Sequence, residues 1–179
     1  MDSLMTLMEM ANSILDVSRM ESGEIQMNQT MCDLLEIVNK VIVKVESLKG
    51  TRQILLEAPD EPAFIMADSQ LIFRVIQNLL DNAIRFTPKD GQIFLKILSD
   101  DAVTRVVVED TGRGIPLKYL NRVFEKFGQV PELQDNARYS TGLGLTFCKL
   151  AIEAHGGNIG VNSTEGKGSS FWFELPNRL

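Results

Sequence analysis

The apolar positions of this chain change period along its length, and each period predicts an element. Over residues 4–20, Leu4, Leu7, Met8, Ala11, Ile14 and Leu15 recur at three- and four-residue steps, the pattern of one helix face, and Ser22-Gly23 ends it. Residues 24–29 alternate polar and apolar, as a half-buried strand does. A second helix starts at Asp33 as N-cap with Glu36 as capping-box partner, and offers Leu34, Ile37, Val38, Val41, Val45 and Leu48 to a core before Lys49-Gly50. Two short strands, 54–57 and 63–66, read as a hairpin around Pro59-Asp60-Glu61-Pro62. Asp68-Ser69 caps a long helix that runs to Phe86 and stops at Thr87-Pro88.

Strands at 92–98 and 103–110 follow, joined by Ser99-Asp100-Asp101, and Pro116 suits the first position of a short helix reaching Phe124. Residues 128–141 carry no periodicity, and a loop of that length is uncommon unless it has a task. Helical spacing returns over 142–154 and ends at Gly156-Gly157; a last hairpin spans 158–163 and 169–175 around Glu165-Gly166-Lys167-Gly168. Helices and an antiparallel or mixed sheet without regular βαβ alternation predict an α+β fold, a two-layer sandwich with helices on one face, preceded by one N-terminal helix.

Composition narrows the function classes. At 179 residues, 44% apolar and 23% charged, the chain supports one sizeable core, and no apolar run approaches the ~18 residues that span a bilayer. A net charge of −6 argues against a nucleic-acid surface, which needs clustered Lys and Arg. Cys32 and Cys148 make neither a disulfide framework nor a zinc site, and the single histidine, His155, excludes a multi-histidine metal centre. A soluble segment in a reducing, cytoplasmic setting is the expectation, without membrane contact.

Four stretches carry candidate chemistry. The β-branched run Val106-Val107-Val108-Glu109 delivers Asp110 to a turn in which Gly112 and Gly114 let a ligand approach the main chain. On the long helix Asn78, Asn82 and Arg85 project from one face while Leu71, Val75, Leu79 and Ala83 face the core. Two amides and a guanidinium so aligned suit phosphates and a hydrated magnesium ion; taken alone the spacing equally describes a capped helix with a polar solvent face. Thr141-Gly142-Leu143-Gly144-Leu145 opens a helix whose N–H groups favour a phosphate, or is simply a flexible helix start. Gly166 to Phe171 forms a glycine hairpin turn, which by itself is structural.

Together, in this order and spacing, Asn78 to Phe86, Asp110 to Ile115, Phe124 with Phe127, Thr141 to Leu145 and Gly166 to Phe171 resemble the N box and the glycine and phenylalanine boxes of sensor histidine kinases. The resemblance covers essentially the whole chain, since Ile14-Leu15-Asp16-Val17-Ser18-Arg19-Met20-Glu21-Ser22-Gly23 is similar to the end of the second dimerisation helix and its link. It implies the end of a dimerisation helix at 1–22 and an ATP-binding catalytic domain at 23–179.

The resemblance also implies roles. Asp110 would accept a hydrogen bond from the adenine amino group. Asn82 would ligate Mg2+ through its amide oxygen, and Asn78 would position water or phosphate. Arg85 would contact phosphate where relatives more often carry lysine, which keeps the charge and changes the fork geometry. Phe86 and Phe127 would lie beside the nucleotide, Gly112, Gly114, Ile115 and Ser169 would shape the base pocket, and Thr141, Gly142, Leu143, Gly144 and Leu145 would present N–H groups and walls to the phosphates. Residues 128–140 would be the ATP lid, with Arg138 as a γ-phosphate contact and Tyr139-Ser140 where many relatives have glycines.

The implied activity is transfer of the γ-phosphoryl group of ATP to a histidine on a dimerisation helix absent from this chain, for onward transfer to a response regulator, in a homodimeric parent, with or without a membrane anchor. Autophosphorylation of this polypeptide is not expected. His155, after Ala151, Ile152 and Ala154 and before two glycines, suits favourable placement at a helix C-terminus better than phosphorylation. Cys148 reads as a small core residue, and Trp172 alternates faces with Phe171 and Phe173. Two other classes stay open on the residues alone: a nucleotide-binding interaction module, and a related ATPase, which in that superfamily carries a water-activating glutamate where this chain has Asn78.

Overall fold

A computed structural model describes residues 2–24, 26–128 and 142–177. The elements are helix α1 (Asp2–Glu21), strand β1 (Thr30–Asp33), helix α2 (Leu34–Val45), strands β2 (Gln53–Glu57) and β3 (Phe64–Ala67), helix α3 (Ser69–Phe86), strands β4 (Gln92–Ser99) and β5 (Val103–Asp110), helix α4 (Gly144–Ala154), and strands β6 (Asn158–Thr164) and β7 (Gly168–Pro176). Five strands form one sheet in the order β2-β4-β5-β7-β6, with β2 parallel to β4 and the other pairs antiparallel. β1 and β3 make a separate antiparallel pair. The α+β sandwich is as expected.

Alternation in the central strands sets the layers. Ile93, Leu95, Ile97, Val106, Val108, Phe171, Phe173 and Leu175 are buried, against Leu34, Val38, Val41 and Val45 of α2, Ile72, Val75, Ile76, Leu79 and Leu80 of α3, and Phe147, Cys148, Ala151 and Ile152 of α4. On the opposite sheet face Arg105 packs over Trp172, whose ring stands where a side chain at Gly160 would be.

Both helix N-caps follow the sequence. Asp68 accepts from Gln70 N and Leu71 N at 3.0 and 3.2 Å, and Asp33 accepts from Leu35 N at 2.9 Å. Glu36 turns forward to Lys40 Nζ at 2.6 Å.

Several local expectations are corrected. Residues 26–29 are not a strand: Asn28 N–H donates to Asp68 Oδ2, and the ladder begins at Thr30 because β3 offers partners only for Thr30–Asp33. β2 and β3 are not a hairpin. Pro59 and Pro62, which lack donors, bracket their connection, and each strand pairs elsewhere, β2 with β4 and β3 with β1. α2 ends at Val45, and the following turn, with Leu48 N and Lys49 N both bonded to Val45 O, leaves Leu48 exposed. Past Pro116 there is only a three-residue 3-10 turn, Leu117–Tyr119, since Leu117 is exposed and Val123 alone is buried in this stretch.

Candidate functional site

The site is built along α3. Its C-terminal end meets the Asp110 turn: a side chain at Gly112 would stand 2.6 Å from Phe86 O and 2.6 Å from Asp110 Oδ1, so only a glycine permits this approach. Gly114 has φ +69°, with Thr164 O lying 2.1 Å from where its Cβ would be. The Arg113 guanidinium lies 5.5 Å from the centre of the Phe86 ring. Two turns earlier on α3, Asn78 meets the start of α4: its Oδ1 is 3.1 Å from the position of a Gly144 Cβ. Asn82 and Arg85, half-buried, both lie between them on the same face.

Asp110 is 5% exposed at the end of β5. Burial pushes its carboxyl above the usual carboxylate range, and the N–H groups of Gly112, at 2.8 Å, and Ser169 partly oppose that by favouring the charged form. The antiparallel register sets Ser169 opposite Asp110. The buried Ser169 hydroxyl lies 3.0 Å from that of Ser163, which accepts from Ile115 N at 2.8 Å and donates to Gly168 O at 2.8 Å. Ser163 therefore ties the turn carrying Gly112, Gly114 and Ile115 to the last hairpin. Periodicity and motif spacing carried no sign of this role.

Near Asn78, Gly142 has φ +67°, Leu143 is buried as the residue before α4, and α4 starts at Gly144 rather than Gly142. Phe124 packs edge-on to Phe171 at 6.3 Å; Phe127 is exposed, with φ +58°, and its N–H donates to Gly142 O at 3.0 Å. Arg138, Thr141 and the rest of 129–141 lie outside the described residues. Leu145 is partly buried against the core. The structure thus brings Asp110, Gly112 and Phe86 together at the C-terminal end of α3, and Asn78 with Gly144 at its middle.

The family described as histidine kinase-, DNA gyrase B- and HSP90-like ATPase matches residues 67–179, which contain both ends of this site. The chain belongs to that family. It is 36% identical to the alginate biosynthesis sensor protein KinB of Pseudomonas aeruginosa over 98% of this chain and 29% of KinB. Among solved structures it is similar to full-length ShkA in complex with AMPPNP, with TM-score 0.83 and 28% identity over 95% of this chain and 35% of that one. It also resembles the catalytic domain of histidine kinase ThkA, with TM-score 0.72 and 29% identity over 84% and 99% of the two chains. The chain spans less than a third of the curated relatives it first matches, 29%, 28% and 18% of their lengths.

Other conspicuous residues of this ATPase-family chain have structural partners. His155 is buried; its Nδ1 lies 2.7 Å from Ala151 O and its Nε2 accepts from Asp68 N–H at 3.0 Å. An accepting Nε2 places the proton on Nδ1, so the ring is a neutral bridge from the end of α4 to the N-cap of α3, and not the cation a helix-dipole role would use. The Cys148 thiol donates to Val75 O at 3.7 Å, and burial pushes its pKa up, as suits a core residue. No helix among the described residues is long and apolar enough to cross a membrane.

Proposed function

We propose that residues 23–179 are the ATP-binding catalytic domain of a sensor histidine kinase, and residues 1–22 the end of its dimerisation helix. The observation that carries this is the pairing of sites along α3: a buried carboxylate beside Phe86 at its C-terminal end, and Asn78 against the glycine start of α4 at its middle. Adenine meets Asp110, whose carboxylate accepts from the exocyclic amine, and the phosphates run toward Asn82, Asn78 and the N–H groups at Gly142 and Gly144. Arg85 supplies positive charge and Phe86 an apolar wall. The names of KinB and ThkA, and the AMPPNP bound by ShkA, support this reading.

The donor set fits Mg2+. The Asn78 and Asn82 amides, one turn apart, offer hard oxygens, and no group of three His, Cys, Asp or Glu residues able to hold a metal occurs among the described residues. Such a site suits an ion held mainly by phosphate oxygens and water, with Asn82 as protein ligand. When bound, Mg2+ neutralises charge on the phosphates. The protein's own part is to orient the nucleotide and keep the terminal phosphate beside Asn78 and the start of α4.

The acceptor is a histidine outside residues 1–179, because His155 is buried with both ring nitrogens engaged. The parent passes the phosphoryl group to a response regulator and works as a homodimer on the cytoplasmic side, a setting that suits the two free cysteines. Incubation with γ-labelled ATP and Mg2+ leaves this polypeptide unlabelled and labels an added histidine-bearing dimerisation domain. Rapid ATP hydrolysis without that acceptor would replace this reading with that of an ordinary ATPase; Asn78, an amide and not a carboxylate base, argues against that outcome.

A further inference from the structure

Arg74 lies one helical turn before Asn78 on α3, so Arg74, Asn78 and Asn82 form a row along one face. The row has a direction. Its far end, at Phe86, abuts the Asp110 turn, its middle abuts Gly144, and Arg74 stands beyond Asn78 on the side away from Asp110. The guanidinium is stacked over the Phe147 ring of α4, at 4.2 Å, so it is held beside the first turn of the helix that begins at Gly144.

Its charge is taken by another element. Arg74 Nη2 meets Asp16 Oδ2 of α1 at 2.6 Å, beside Val17, which is buried. A second ion pair, Lys126 Nζ to Glu21 Oε2 at 2.6 Å, holds the end of α1 to the segment that leads to Phe127. The Asp16 and Arg74 side chains remain 26% and 40% exposed, so the pair is solvent-screened and exchangeable, worth about fivefold or less in an equilibrium.

Resting on the function proposed above, we infer that Arg74 is a further nucleotide-directed residue, a cation for the terminal phosphate that Asp16 of α1 occupies in this arrangement. A doubly charged terminal phosphate offers the guanidinium more charge and more acceptor oxygens than one carboxylate, so it displaces Asp16. No bond is made or broken; one ion pair is exchanged for another. By linkage, a γ-phosphate on Arg74 loosens α1, and a loosened α1 raises affinity for ATP over ADP by the same factor.

The test compares ATP and ADP affinities by calorimetric titration with Mg2+ on the full 179-residue polypeptide, for the native chain, Arg74→Gln and Asp16→Asn. Arg74→Gln is expected to weaken ATP roughly tenfold or more while leaving ADP nearly unchanged, the ADP value also showing that the variant is folded. Asp16→Asn is expected to strengthen ATP about two- to fivefold and ADP hardly at all. Hydrogen exchange of α1 should rise with ATP and stay flat with ADP. An unchanged ATP-to-ADP ratio in Arg74→Gln, or equal strengthening of both nucleotides in Asp16→Asn, overturns the inference and leaves the ATP site intact. Loss of all adenine-nucleotide binding by the native chain would instead remove the function on which it rests.

Discussion

On the proposed function, Asp110 is a carboxylate with both a structural and a nucleotide-binding role. It is buried, which raises its pKa, and it is oriented by N–H groups that partly restore the charged form. Because the folded value lies above the ordinary one, protonation favours the folded state. The Asp110 contribution to stability is therefore greatest at low pH and is lost as pH rises through the folded value. Function runs the other way, since accepting from an adenine amine needs the carboxylate. ATP affinity is expected to fall on acidification from a pH above the ordinary aspartate value of about 3.9, and Asp110→Asn to remove that limb together with most of the adenine affinity. A pH series of ATP titrations checks this; an Asn variant with native affinity and the same acid limb would place the base elsewhere. His155 gives a second prediction at this scale. His155→Ala removes the acceptor of the Asp68 N–H, while Ala151 O keeps the backbone N–H of residue 155, and is expected to cost about 1–3 kcal/mol by urea unfolding, without any loss of phosphate label, because none is carried there. Motif order pointed to Asp110, whereas the His155 bridge joins residues 87 positions apart and had no local signal.

At the scale of elements, α3 was legible almost to the residue. An Asp-Ser N-cap, apolar steps of three and four, and a Thr-Pro stop are all encoded within one helix length, and the structure has Ser69–Phe86 capped by Asp68. The β4–β5 hairpin was legible for the same reason, its turn pinned by Asp100 Oδ1 accepting from Ala102 N and Val103 N at 2.8 and 2.9 Å. The false hairpin of β2 and β3 had no such support, because strand partners are chosen across the fold and not by the nearest turn. The glycines between elements make separable predictions. Gly114→Ala combines left-handed backbone with a contact on Thr164 O, and should cost about 1–3 kcal/mol in denaturant unfolding. Gly144→Ala needs only a few tenths of an ångström of yielding from Asn78, so its stability should stay near native while ATP binds about tenfold more weakly, roughly the worth of one hydrogen bond. Titration and unfolding curves on the same preparations separate the two; equal stability losses would mean that the α4 start is structural only.

For the whole molecule, the apolar face of α1 and its likeness to the end of a dimerisation helix left its partner within this chain open. Here α1 lies along α4, burying Val17 and pairing Asp16 and Glu21 with Arg74 and Lys126, while Ile14 and Leu15 stay about half exposed. Among the described side chains of α1, one buried valine and two screened ion pairs amount to about 2–5 kcal/mol. A polypeptide of residues 23–179 is thus expected to keep cooperative unfolding and to lose no more than that. Raising salt from 0.05 to 1 M, where the screening length falls to about 3 Å, should loosen α1 in hydrogen exchange while leaving α3 protected. An α1 whose protection ignores salt would show that apolar contact, not these charges, holds it.

Taken by itself, the amino-acid sequence determined the helices and the central hairpins, the α+β class, and the ordered motifs that place this chain among sensor-kinase relatives. Those features are written in short-range period, caps and glycine spacing, which act within a few residues. Only the tertiary structure decided the strand order β2-β4-β5-β7-β6, the support of the Asp110 turn by Ser163, the neutral bridge of His155 and the seating of Asp16 on Arg74. Each of these depends on which distant groups burial brings within hydrogen-bonding reach, and a residue's neighbours along the chain do not encode that.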